Sequence, residues 1–116
     1  MNNNNKKIVK IVSELTGFCH HYGSNDVTTH SQTTSNSIEI SLTAKNLTQL
    51  DDALIKKIRD RLSSPRCNEI EEYYWGLSGE DDTDPELILV GMMIDSYTLN
   101  YDKENDILSI HLTRHI

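Results

Sequence analysis

Residues 37–43 read Ser-Ile-Glu-Ile-Ser-Leu-Thr, a strict alternation of polar and apolar side chains. An extended chain points successive side chains to opposite faces, so Ile38, Ile40 and Leu42 share one face and Ser37, Glu39, Ser41 and Thr43 the other. Near the end of the chain the pattern returns, with Leu108, Ile110 and Leu112 set against Ser109, His111 and Thr113. Strands of this kind belong to an antiparallel sheet that buries one face and leaves the other polar. The rest of the chain must then supply the cover for the buried face.

Two more strands are expected. Residues 26–32 are rich in Thr, and Thr33-Thr34-Ser35-Asn36 has the chemistry of a turn, which predicts a hairpin with residues 37–43. Residues 87–101 read as one long strand: Ile88, Val90, Met92 and Ile94 are apolar at even positions, Tyr97, Leu99 and Tyr101 at odd ones. The change of parity predicts a β-bulge at Asp95-Ser96. Leu87, Leu89 and Met93 make the first half apolar on its other face too, as in a strand covered on both sides or placed at an interface. Asp102-Lys103-Glu104-Asn105-Asp106 then turns the chain into its last strand.

Helical spacing marks the cover. Ile8, Ile11, Val12, Leu15, Phe18, Cys19 and Tyr22 recur three and four residues apart, and Gly23 suits the left-handed cap of such a helix. Gly17 weakens it by about 1 kcal/mol relative to Ala, which leaves a kink or an early stop near Thr16 open. Leu47, Leu50, Leu54, Ile58 and Leu62 predict a second helix, with Thr48 and Asp51 as a capping box. It stops at Ser63-Ser64-Pro65 because proline restricts the preceding residue and cannot donate to the helical ladder. Pro65 also suits the first position of a third helix over residues 65–77, with Ser64 as its N-cap and Gly79 as its end. Cys67, Ile70, Tyr74 and Leu77 would form its apolar face.

The expected fold is α+β, in the order α-β-β-α-α-β-β, with a four-stranded, mainly antiparallel sheet and helices packed on one face. At 116 residues the chain is expected to form a single domain over residues 1–116. Within it, residues 1–5 are expected to be a disordered Asn-rich tail and residues 80–86 an exposed acidic loop.

Charge and composition exclude several classes. No apolar run approaches the roughly 20 residues of a membrane helix, and Lys10 and Glu14 interrupt any secretory segment near the N-terminus. A cytoplasmic protein with two reduced thiols, Cys19 and Cys67, is therefore expected. A net charge of −7 disfavours nucleic acid, whose binding would need a local patch from Lys6, Lys7, Lys10, Lys56, Lys57 and Arg61.

Few residues are arranged for chemistry. Cys19, His20, His21, His30, His111 and His115 are the metal candidates. Adjacent helical residues point about 100° apart, and His111 and His115 are roughly 13 Å apart along a strand. Without a Cys-x-x-Cys or His-Glu-x-x-His pattern, no metal and no cofactor is expected. Cys19 and Cys67 fall on apolar helix faces, as small buried hydrophobes do. The five glycines are scattered and form no phosphate loop or nucleophile elbow.

Two groups of residues remain. Asp95, beside the expected bulge, with Glu71 and Glu72 on the third helix, is the candidate ligand site, and an acidic pair there would suit a divalent ion or acid–base work. Tyr73, Tyr74 and Trp75 are consecutive and fan around a helix, so at least one must leave the core. Tyr73 and Trp75, together with Ser41, His111 and Thr113 on the uncharged outward sheet face, are the candidate interface. The leading expectation is a small interaction or regulatory module acting as a homodimer. The alternatives are a ligand- or metal-binding domain or enzyme near Asp95, and, third, a nucleic-acid-binding domain.

Overall fold

A computed structural model describes residues 3–67 and 83–116. Its elements run α1 (Asn3–His21), β1 (Asp26–Thr33), β2 (Ser37–Lys45), α2 (Asp52–Leu62), α3 (Thr83–Met92), β3 (Ser96–Asp102) and β4 (Ile107–His115). All neighbouring strands are antiparallel, and the sheet order is β1-β2-β4-β3. The mixed α+β architecture and the element order are those expected from the sequence.

The two alternating strands form the centre of the sheet. Ser41 stands opposite His111, and Leu42 opposite Ile110, so both apolar stripes lie on the same face. Ile38, Ile40, Leu42, Ala44, Leu108, Ile110 and Leu112 are all buried there. Against them α1 sets Ile11, Leu15, Phe18 and Cys19, α2 sets Ile58 and Leu62, and α3 sets Leu87, Leu89 and Val90, with Met93 just past its end. Each fully buried Ile, Leu, Val, Phe or Met among them contributes about 1.5–3 kcal/mol of hydrophobic stabilisation.

α1 begins at Asn3, so residues 3–5, expected in a tail, belong to its first turn. It passes through Gly17 without stopping and closes on a Schellman turn. Gly23 has φ +100°, its N–H donates to the His20 carbonyl at 3.1 Å, and the Ser24 N–H donates to the Cys19 carbonyl at 3.0 Å. The cap of α2 is Asp51 rather than Thr48: its Oδ1 accepts from the Leu54 N–H at 2.8 Å.

The long strand expected over residues 87–101 is a helix followed by a short strand. A continuous apolar run has no period that separates a buried helix from a buried strand. In the helix Leu87 and Val90 lie three residues apart and are buried with Leu89, and Met93 and Ile94, just past its last residue, are buried as well. The overlooked signal lies just upstream, where Thr83-Asp84-Pro85-Glu86 matches a capping box with acids and a proline in the first turn. Residues 83–86 therefore start α3 and are not part of an acidic loop. Asp95 lies in the turn between α3 and β3, so no bulge is needed to explain the change of parity. α3 lies close against α2 at Gly91, where a Cβ would collide with the Arg61 carbonyl oxygen.

The helix expected over residues 65–77 falls mostly outside the described residues. Pro65, Arg66 and Cys67 are described and are not helical. The Cys67 N–H instead donates to the Met92 carbonyl at the end of α3, at 3.2 Å.

Candidate protein-interaction surface

All three described helices lie on the apolar face of the sheet, and the opposite face is polar over its three central rows; the row beyond them pairs Asp26 with Lys45 and Asp102 with Ile107. The register sets Thr28, Thr43, Ser109 and Asn100 side by side in one row. The next row is His30, Ser41, His111 and Thr98, and the next Gln32, Glu39, Thr113 and Ser96. In a chain with a net charge of −7, these three rows carry one carboxylate and no Lys or Arg.

That carboxylate organises the centre of the face. Glu39 Oε1 accepts from His111 Nε2 at 2.7 Å and from the Thr113 hydroxyl at 2.9 Å, while Oε2 accepts from the Ser37 hydroxyl at 3.0 Å. His111 Nδ1 lies 2.8 Å from Ser41 Oγ. A carboxylate only accepts, so Nε2 carries the proton facing Glu39, and in the neutral ring Nδ1 accepts from the Ser41 hydroxyl. The hydrogen bond from His111, followed by that from Thr113, holds the Glu39 carboxyl below its usual range.

A hydroxyl, an imidazole and a carboxylate in line are the groups of a nucleophilic triad. Ser41, however, sits in a strand laddered on both sides, to β1 and to β4. Its neighbouring backbone N–H groups lie in the plane of the sheet and do not converge on an oxyanion above it. The arrangement therefore fixes a ring and satisfies a carboxylate. A shallow depression of about 240 Å³ beside it is lined in part by Ser41, Thr43, Thr98, Asn100, Ser109 and His111.

The sequence-chosen residues separate. Ser41, His111 and Thr113 come together on β2 and β4, at the centre of the outward face. Tyr73, Trp75, Glu71 and Glu72 lie outside the described residues. Asp95 is committed to structure: its Oδ2 accepts from Arg66 Nη1 at 2.7 Å and from the His115 N–H at 2.6 Å. Partial burial acts to raise the Asp95 pKa, but these two donors outweigh it and hold the carboxyl below its usual range. The adjoining cleft, about 480 Å³, is lined in part by Ser63, Arg66, Asp95 and Tyr97. Within it the Tyr97 hydroxyl is 3.0 Å from Ser63 Oγ and donates to the Arg59 carbonyl at 3.2 Å.

Cys19 is held in the core, and His20 against the backbone that follows α1. Burial pushes the Cys19 thiol up to about 12, which makes it inert as a nucleophile. His20 Nδ1 is 2.9 Å from the Ser24 carbonyl at the end of α1. Among the described residues no group of three His, Cys, Asp or Glu side chains is placed to hold a metal ion, and no helix is long and apolar enough to cross a membrane. Arg114, which the sequence pattern overlooked, is buried at the end of the β4 apolar stripe and donates to the Met93 carbonyl at 2.7 Å. Glu39 was also overlooked as a centre, although its position two residues before Ser41 and opposite Thr113 makes the contacts geometrically available. No protein-family model matches the chain, and neither does any curated protein.

Proposed function

We propose that this protein is a small cytoplasmic interaction or regulatory module that acts as a homodimer and offers the outward face of its sheet to a protein partner. The observation that carries this reading is the contrast between that face and the rest of the chain. Residues with a formal charge make up 25% of the sequence, yet the rows through Ser41, His111 and Thr113 keep only Glu39, tied down by three neighbours. Depletion of charge at the centre of a patch marks surfaces that are desolvated on association. The network holds Ser41, His111 and Glu39 in fixed positions before contact, which lowers the entropy cost of binding.

The test compares the wild type with Thr113→Lys as bait in quantitative capture from native lysate, with each variant's mass in solution measured in parallel. A partner retained by the wild type and lost by Thr113→Lys, with folding unchanged by circular dichroism, supports the outward face. Equal capture by both would remove that face from the account.

A further inference from the structure

The two edges of the sheet are not alike. In β3 the Leu99 carbonyl points away from β4 and accepts from Arg59 Nη2 of α2 at 3.2 Å, so a side chain of that helix occupies part of that edge. At the other edge, β1 is eight residues long and seven of them are exposed, with Val27 alone partly covered. Thr29, Ser31 and Thr33 lie on the core side of the sheet, opposite Leu42, Ile40 and Ile38, but no described helix reaches far enough to bury them. β1 thus extends beyond the body of the protein with both faces and one edge open.

The orientation of that edge follows from the ladder. The Thr34 N–H donates to the Ser37 carbonyl at 2.8 Å, and hydrogen-bonded pairs alternate along an antiparallel ladder. Gln32, His30 and Thr28 therefore bond to β2, and Val27, Thr29, Ser31 and Thr33 turn their N–H and C=O groups outward. Among the described residues nothing bonds to these outward groups. The usual protections of an edge strand are missing: residues 26–33 contain no proline and no lysine, and no bulge interrupts their pairing with β2.

We infer that β1 pairs antiparallel with β1 of a second copy, so that two four-stranded sheets become one of eight strands. This rests on the homodimer reading above and specifies how the dimer is built. A two-fold axis through His30 brings all four outward residues into hydrogen-bonded pairs, Val27 with Thr33 and Thr29 with Ser31, each formed twice. Thr28 then faces Gln32, and His30 faces its own symmetry mate. Asp26, the only acid in the strand, falls opposite Thr34, so no like charges meet in the ladder. A second copy suits this edge better than an unrelated strand because the sequence is complementary to itself about His30, and closed two-fold dimers are the commonest assemblies. The outward faces of the two copies would form one continuous polar platform.

Two variants test the inference by light scattering and oxidative cross-linking at micromolar concentration. Ser31→Pro removes an outward N–H without breaking a bond to β2 and is expected to turn the dimer into a monomer, with circular dichroism checking that the fold persists. His30→Cys places two thiols at a non-hydrogen-bonded pair, where side chains are closest, and is expected to form a covalent dimer under mild oxidation. Thr28→Cys, roughly 13 Å from its mate in this register, is expected to stay uncross-linked. A wild-type dimer that survives Ser31→Pro and gives no His30→Cys cross-link overturns the edge pairing and leaves the homodimer standing. Cross-linking at Thr28 instead of His30 overturns the register. A wild type that is monomeric throughout overturns both the edge pairing and the homodimer.

Discussion

His111 and Glu39 are diagonal neighbours on adjacent strands, and the ring Nε2 donates to Oε1 across 2.7 Å on the face of the sheet that no described helix covers. The bond makes the titration of Glu39 a reporter of that face. Because the folded state holds the carboxylate form, the stability it contributes is present above the unfolded value of about 4.3 and is lost as pH falls through the lower folded value. Carboxyl-detected NMR is expected to find Glu39 titrating below the ordinary glutamate range, and His111→Ala to move it upward, since the largest cause of the lowering is removed. An unchanged midpoint in His111→Ala would show that the ring does not hold the carboxylate in solution.

Gly91→Ala is expected to destabilise the fold by about 1–3 kcal/mol, the usual cost of overpacking, although Ala favours a helix by about 1 kcal/mol over Gly elsewhere. The added methyl would meet the Arg61 backbone, which cannot turn away as a side chain can. Urea denaturation of the variant measures this directly, and equal or greater stability would contradict the close approach of α3 to α2.

Much of the fold was legible because its central strands announce themselves. The alternation of residues 37–43 and 108–113 fixed which side chains face the core, and the structure buries those expected to be inside. Residues 87–94 were misread for a physical reason: side chains buried all round have no polar positions from which a period can be taken, and only the preceding Thr-Asp-Pro-Glu marked a helix. For the outward face, Ser41, His111 and Thr113 were legible from alternation alone. Glu39 was not, because its role depends on the register between β2 and β4, which no local pattern states. The partners of Asp95, Arg66 and the His115 N–H, were not legible because they are distant in sequence and because residue 95 lies in a turn and not in a strand.

Asp95→Ala is expected to cost about 1 kcal/mol, the scale of a partly exposed ion pair with one backbone hydrogen bond. Its carboxylate joins residue 66 to the end of β4, and Arg66 also donates to the His115 carbonyl at 3.0 Å. The loss is expected to shrink toward acid pH, where the wild-type carboxylate protonates as well. A loss that persists undiminished below the Asp95 midpoint would contradict the ion-pair account.

Arg114→Met keeps most of the side-chain volume and removes the guanidinium from the Met93 carbonyl. Since that carbonyl follows the last turn of α3 and Arg114 is buried, the expected cost is about 2 kcal/mol, the range for a charged hydrogen bond. Hydrogen exchange is expected to rise in α3 and at the end of β4 before it rises in α1. Uniform protection in the variant would show that Arg114 does not anchor α3.

The central claim is that this sheet is built for association, and the mass of the protein in solution tests it most directly. Multi-angle light scattering across the micromolar range is predicted to return twice the chain mass of 13.3 kDa. A mass of 13.3 kDa at every concentration would contradict the homodimer.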